Sequence, residues 1–508
     1  MTVVRERLPR MNMAAYCLRE AARTKPDKPA LLVLDGLGRP PAEVWTFAQL
    51  QDAVLRVANG LSARGLKRGD RLLIRLDNAS AYALLFFGAI AGGYVPIPAS
   101  SALTDGEADF MLRDSEASAV AVASRFGAYA PDGVTVLTSE TIDALIREGG
   151  LANYADTAAD DPAFLVYTSG TTARPKGVLH AQRSALGRRP MYQGWYGIGP
   201  DDRVLHAGAF NWTFTLGTGL TDPWANGATA IVYTGEKTPE VWPALIRETE
   251  ATLFAAVPGV YRQILKYAPA GSLDLGRLRH GLTAGEAPPA SLFDAWQART
   301  GTALYEALGM SEISTYISSS PSVPRKPGTT GKPQAGRRVA VIAVDGDTPL
   351  PAGSEGLLAV HRSDPGLMLG YWNRPDEEAE VLRGEWFAGG DLAVMDGEGY
   401  VTHLGRANEI MKALGYRVSP LEVEAVLAMH PDIAEVACAE LRVREDVSVI
   451  AAYVVPRAEA LLDTNGVMAF AADRLADYKC PREIVIVDAL PRTPNGKVQR
   501  GKLQALSR

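Results

Sequence analysis

The chain has 508 residues, 47% apolar and 22% charged, the balance of a globular protein with room for more than one domain. A formal charge of −6 argues against general nucleic-acid binding. Cys17, Cys438 and Cys480 lie far apart with no Cys-x-x-Cys pair, and the six histidines show no ligand spacing, so neither a disulfide framework nor a zinc site is expected.

The opening residues, MTVVRERLPRMNMAAYC, lack the charged-then-apolar pattern of a secretory signal, and a cytoplasmic location is the expectation. No charge occurs between Asp77 and Asp105, yet Gly88, Gly92, Gly93, Pro96 and Pro98 interrupt that stretch. It reads as a buried helix near Ser80–Ala91 and a strand at Tyr94–Ile97, not as a membrane span. Strand-like runs at Arg71–Leu76, Ala119–Ala123, Ala228–Tyr233, Ala251–Val257 and Leu304–Leu308 alternate with helical patterns. That alternation predicts an α/β fold, parallel sheets with helices on both faces.

Ala163–Tyr167 reads as another buried strand of a parallel sheet, and it runs into YTSGTTARPKGVLH. Thr168, Ser169, Thr171 and Thr172 offer hydroxyl donors, Gly170 and Gly177 allow close backbone approach, and Arg174 and Lys176 add positive charge. The combination describes an anion site suited to a phosphate chain; the alternative is a solvated turn. Three further strand ends carry unusual residues, and ligands of open α/β sheets collect at such ends. They are Pro258 and Gly259; Ala284, Gly285 and Glu286; and Ser311 and Glu312. Taken singly, each also fits an ordinary turn or helix cap.

From Gly331 to Gly405 short strands and Gly/Pro turns predict a small β subdomain. Ser419-Pro420-Leu421-Glu422 matches a capping box with proline at the first helical position. Strand patterns at Val447–Val455 and Glu483–Val487, with a helical stretch between, complete a separate small α+β domain. Lys176 lacks the flanking residues of a Walker loop, PNGKVQR has Val498 where the metal-binding hydroxyl belongs, and no GxGxxG follows a strand. A P-loop ATPase or a dehydrogenase is therefore disfavoured.

Five motifs in order instead resemble the acyl-adenylating superfamily of AMP-forming acyl-CoA synthetases, luciferases and adenylation domains, over essentially the whole chain. They are YTSGTTARPKGV, YEALGMSE, WFAGGD, GRANEIMKALGYRVSPLEVE and PRTPNGK. The resemblance implies an N-terminal AMP-binding domain over residues 1–407 and a mobile C-terminal domain over 408–508. It implies that Thr168, Ser169, Gly170, Thr171, Thr172 and Lys176 hold the phosphates of ATP. By the same resemblance Glu312 binds Mg²⁺, Asp391 holds the ribose, Arg406 reaches the same ribose or the phosphates, and Gly285, Glu286, Tyr305 and Glu306 lie along the adenine. Lys497 would serve adenylate formation, and the domain would then turn about the hinge to bring Gly415 to the thiol tunnel. The hinge position, commonly Asp or Lys in that family, is Asn408 here.

The stretch AFNWTFTLGTGL occupies the region that lines the acyl pocket in that family, with Trp212 where many members carry a histidine. Asn211, Phe214, Ala284, Gly309, Met310, Ile313 and Tyr316 complete the expected pocket, with core packing the alternative for Phe214 and Tyr316. Local texture resembles benzoate-type CoA ligases, which implies an aryl or cyclic acid; a short- or medium-chain fatty acid is the alternative. Coenzyme A is the expected acceptor, since only a short tail follows Lys497 and no fused carrier domain is expected; a separate carrier protein is the alternative. A homodimer and a lysine acetyltransferase acting on Lys497 are further partner expectations. A non-catalytic nucleotide-binding relative is the alternative from another class.

Overall fold

The computed structural model describes residues 10–126, 129, 132–168, 175–269, 271, 273–413, 416–444, 447–457, 462–493 and 498–507. Its largest sheet has nine strands, in the order Lys332–Pro333, Ser314–Ser318, Ala303–Met310, His280–Ala284, Leu253–Ala256, Arg203–His206, Thr229–Tyr233, Pro29–Leu34 and Glu43–Thr46. Its six central strands are parallel and the flanking ones antiparallel. A second, wholly parallel sheet runs Val95–Ser100, Arg71–Leu76, Ala119–Val122 and Thr135–Leu137.

The uncharged stretch is the helix Ser80–Gly92, buried along nearly its whole length against the helix Phe47–Ala63. Gly93, with φ of 79°, ends it and turns the chain into Val95–Ser100. Charge is absent there because both helix faces are core, not because the segment meets lipid. No helix among the described residues is long and apolar enough to cross a membrane.

One expectation is corrected. Pro162–Thr168 is not part of a parallel sheet: it pairs antiparallel with Lys176–Ala181, and Gly370–Tyr371 adds a third antiparallel strand. The loop of residues 169–175 is too short for a parallel crossover, which takes about a dozen residues or more, so the strand returns as a hairpin.

The β subdomain is a six-stranded sheet of antiparallel pairs around Glu355–His361 and Asp391–Met395. Beyond it, Met411–Ala413 and Tyr416–Val418 form a hairpin, and the helix Pro420–Leu427 starts at the predicted cap. Ser419 Oγ accepts from the Glu422 amide at 3.3 Å, but the Glu422 carboxylate pairs with Lys479, so only half of the capping box forms. Ile433–Arg444, Val447–Pro456 and Glu483–Ile486 make the C-terminal sheet, packed on Pro420–Leu427 and Thr464–Ala472.

A buried ion pair ties the helical layer to the large sheet. Arg188 donates to both Asp222 oxygens, at 2.8 and 2.6 Å, and to Ser314 Oγ, while the Tyr196 hydroxyl donates to Asp222 at 2.7 Å. Asp222 is fully buried and Arg188 nearly so. Asp222→Ala leaves that guanidinium uncompensated and should cost about 3–5 kcal/mol, read as a lower midpoint in chemical denaturation. A midpoint within error of the parent would show that the pair does not support the fold.

Candidate active site

Two strand ends and one tyrosine build the phosphate end of the site. Thr168 and Lys176 are register partners at the mouth of the hairpin; Ser169, Gly170, Thr171, Thr172 and Arg174 lie outside the described residues. Lys176 Nζ stands 3.8 Å from the centre of the Tyr371 ring and 3.4 Å from the Glu377 carboxylate. The Tyr371 hydroxyl donates to Glu312 Oε1 at 2.7 Å, so one aromatic ring joins the predicted phosphate lysine to the predicted metal carboxylate. Burial, then the Glu312 charge, pushes the Tyr371 phenol up, which keeps it a donor.

The turn bearing Glu312 is fastened from behind. The His180 ring stacks on Phe164 and its Nε2 donates to the Ser311 carbonyl at 2.8 Å; burial lowers its pKa to about 4, so the ring is neutral. Gly177 has a different role from the one expected. A Cβ there would stand 2.9 Å from Leu165 and 3.2 Å from Trp372, so its smallness serves packing.

Most of the residues expected at the ribose and adenine line a cleft of about 380 Å³ between the N-terminal sheets and the C-terminal unit. Gly285, Glu306, Gly309, Asp391 and Arg406 line it from one side; Glu435, Arg492, Val498 and Arg500 line it from the other. Gly285 ends its strand with φ of 98°, a conformation that favours glycine. Asp391 and Arg406 are cross-strand partners. Asp391 is 5% exposed, and its Oδ1 receives Arg406 Nε and His403 Nε2, each at 3.1 Å. Arg406 also donates to the Gly389 carbonyl at 2.6 Å, which fixes the glycine turn that presents Asp391. Glu306, half-buried in the cleft wall, is lifted to about 8 by lost hydration, against an opposing pull from Arg325.

Tyr305 and Glu306 do not share a ligand face. Successive side chains of a strand point to opposite sides, and Tyr305 packs instead into a cluster with Phe214, Trp195, Ala284 and Ala307. Glu286 lines the same cleft beside Gly285, and its carboxylate lies 3.9 Å from Arg262 and 3.4 Å from Arg492.

The residues expected in the acyl pocket do not gather in one place. Phe214 and Ala284 lie together in the Trp195 cluster; the Phe214 ring stacks at 5.9 Å on Trp195 and meets His206 edge-on at 4.5 Å. Ile313 lines a separate enclosed cavity of about 30 Å³ with Phe164, His180, Arg188, Leu216 and Ser314. Tyr316, 1% exposed, is core of the β subdomain interface, so the packing alternative holds for it. Met310 faces Gly389, and Gly309, where a Cβ would stand 2.5 Å from the Ser314 carbonyl, lines the nucleotide cleft. Asn211 is half-buried, and Trp212 is the N-cap of Thr213–Leu216.

Four buried polar atoms of this region have no partner among the described residues: Trp212 Nε1, Thr215 Oγ1, His206 Nε2 and Thr283 Oγ1. His206 and Thr283 stand at the carboxyl ends of the two strands that flank Leu253–Ala256, and Trp212 and Thr215 lie at the cap and within the short helix Thr213–Leu216, where a bound ligand would supply their bonds. Of these orphans Trp212 alone is expected from the sequence; Tyr371, His403, Arg492, His206, Thr215 and Thr283 are not singled out there. Tyr371 sits in an apolar-aromatic run, MLGYW, that reads as core, and His403 becomes Asp391's neighbour only through strand register.

Gly415 and Lys497 lie outside the described residues, but Val498, next to Lys497, lines the cleft. Asn408 is not among the residues with positive φ. Among the described residues no group of three or more His, Cys, Asp or Glu could hold a metal ion by itself.

The model of the AMP-binding enzyme family matches residues 18–372, and that of the AMP-binding enzyme C-terminal domain matches 422–497. The chain is 33% identical to the benzoate–CoA ligase of Thauera aromatica, covering 91% of this chain and 90% of that protein. It is 30% identical to the 3-hydroxybenzoate–CoA ligase of Aromatoleum sp. (strain CIB), covering 93% and 94%. Among solved structures, ATP-bound MatB from Rhodopseudomonas palustris superposes with a TM-score of 0.90 at 27% identity, covering 97% and 98% of the two chains. The apo form of the same protein gives 0.81 over the same coverage. The architecture, the converging cleft and these likenesses agree: the chain belongs to the family of AMP-binding enzymes.

Proposed function

We propose that this protein activates an aryl carboxylic acid with ATP and transfers it to coenzyme A, as an AMP-forming acid–thiol ligase. The observation that carries the proposal is the convergence of Gly285, Asp391 and Arg406 with Arg492 and Val498, from opposite ends of the sequence, on one cleft. Asp391 has a carboxylate placed to accept from ribose hydroxyls, since Arg406 and His403 hold it in position. Thr168, Lys176 and the residues 169–174 between them would receive the β- and γ-phosphates. Glu312 fits a site for Mg²⁺ completed by substrate phosphates, because that ion commonly takes one or two carboxylates and keeps waters. When bound, Mg²⁺ would offset the triphosphate charge.

In the first half-reaction a carboxylate oxygen of the acid attacks the α-phosphorus of ATP. The bond to the β-phosphate oxygen breaks, giving an acyl adenylate and pyrophosphate. Negative charge gathers on phosphoryl oxygens and no proton need move, so fixed cations do the work. Arg406 stands at that end of the cleft, and Lys497 would arrive on the turn that Val498 continues. In the second half-reaction the thiol sulfur of coenzyme A attacks the adenylate carbonyl, its proton goes to solvent, and AMP leaves. The C-terminal domain, residues 408–508, would turn about Asn408 between the two steps and bring Gly415 forward. The better match to ATP-bound than to apo MatB supports a nucleotide-loading arrangement here.

The flat cluster of Phe214, Trp195 and Ala284 suits a ring more than a long flexible chain, and the likeness to two benzoate-type ligases supports the same substrate class. The test is a panel of aromatic, cyclic and linear acids with ATP, Mg²⁺ and coenzyme A. Aryl-CoA should form, with AMP and pyrophosphate in equal amounts; ADP and phosphate, or turnover of linear acids alone, would overturn the reading.

Glu306 provides a pH prediction. Its folded pKa of about 8 lies above the ordinary 4.5, so between those values the folded protein holds a proton that the unfolded chain has released. Stability must therefore fall as pH rises through that window. Glu306→Gln removes this contribution, so its melting temperature minus the parent's should grow from pH 5 to pH 8. A difference independent of pH would show that Glu306 ionises normally.

A further inference from the structure

Arg492 sits between two carboxylates that belong to different parts of the molecule. Its Nη2 lies 2.6 Å from Glu435 on the C-terminal strand Ile433–Arg444, and its Nη1 lies 3.4 Å from Glu286 on the loop after His280–Ala284. Glu286 in turn reaches Arg262 on the helix Pro258–Tyr267, at 3.9 Å. The result is a row of alternating charge, Glu435–Arg492–Glu286–Arg262, whose middle contact alone crosses between the C-terminal unit and the N-terminal sheets. Arg492 also forms an isolated antiparallel bridge with Val498, so whatever anchors Arg492 anchors Val498, the residue next to Lys497.

We infer that Arg492 is a positioning residue for the first half-reaction, holding the C-terminal unit over the nucleotide cleft through Glu286. The inference rests on the two-step reading above. Arg492 and Glu435 move together, so of the contacts in this row rotation of the C-terminal unit leaves Arg492–Glu435 intact and breaks Arg492–Glu286. Each ion then keeps one partner: Arg492 keeps Glu435, and Glu286 keeps Arg262. Breaking the row in the middle leaves two neutral pairs and no isolated charge, so the latch opens without the penalty of stranding an ion. Both side chains are only about a fifth to a quarter exposed, 18% for Glu286 and 26% for Arg492, so the contact is less screened than a surface pair. A second cation of the same segment, Arg500, pairs with Glu424 of the C-terminal helix and, at 3.5 Å, with Glu409 beside the hinge. That contact lies near the axis of rotation and can persist in both poses, which leaves Arg492–Glu286 as the pose-dependent one of the two.

The experiment separates the half-reactions in Arg492→Gln, Glu286→Gln and the double variant. Acid-dependent pyrophosphate release reports the first step; thioester from synthetic benzoyl adenylate and coenzyme A reports the second. Each single variant should lose about tenfold in the rate of the first step at saturating ATP, with KM for ATP little changed, as expected for a contact of this kind. The double variant should lose no more than either single one, because the two residues act through one contact. Arg492→Gln should keep the parent rate in the second step, which also shows that it folds.

Equal losses in both steps for Arg492→Gln, or losses that multiply in the double variant, would overturn the inference. So would a raised KM for ATP in Glu286→Gln at unchanged maximal rate, which would place Glu286 on the nucleotide instead. Parent protein that releases no pyrophosphate with any acid would sink the two-step reading itself; an active parent with unaffected variants would sink only the latch.

Discussion

The Asp391–Arg406 pair is the constraint around which the site is arranged. The two residues face each other across a hairpin at the end of the β subdomain, and directly after Arg406 the chain leaves for the C-terminal unit. A nearly buried carboxylate needs a counter-charge, and Arg406 supplies it while His403 adds a hydrogen bond. Arg406 is therefore held in the cleft by the same bond that prepares Asp391 for a ligand. The residues that follow it start the C-terminal unit from a fixed point, so the floor of the site and the root of the proposed hinge are one piece of structure.

From that floor the site grows by register rather than by proximity in sequence. Parallel strands bring Ala284 and Gly285 beside Ala307, and the antiparallel turn back from Met310 sets Glu312 over Tyr371. Tyr371 then reaches Lys176 on the hairpin. Positive charge is distributed over independent supports: the hairpin, the β subdomain and the C-terminal unit. A triphosphate with its metal would be the element that satisfies all three together, which is a physical reason for closure to follow nucleotide binding.

Much of this was legible in the sequence, because the glycine, hydroxyl and lysine pattern of residues 167–180 and the Gly-Gly-Asp ending at Asp391 have few structural explanations. The strands Arg71–Leu76 and Ala119–Val122 followed from apolar runs, and the start of Pro420–Leu427 from its cap. What was not legible depended on pairing. Nothing local distinguishes a hairpin strand from a parallel one, so Pro162–Thr168 was misassigned until loop length decided it. Face alternation separated Tyr305 from Glu306, and only the folded chain shows that Tyr316 lies in core while Phe214 meets the Trp195 cluster. Glu286 found its partners some 200 residues downstream, at Arg492, as well as nearby at Arg262, and no short-range pattern encodes that.

The central claim is that carboxylate oxygen attacks the α-phosphorus of ATP in this cleft. Benzoate labelled with ¹⁸O in both carboxyl oxygens tests it most directly, with AMP, pyrophosphate and thioester analysed by mass spectrometry after turnover with coenzyme A. The account predicts one labelled oxygen in the AMP phosphate and the other in the thioester carbonyl, with unlabelled pyrophosphate. Label in inorganic phosphate, or AMP free of label while thioester accumulates, would contradict it.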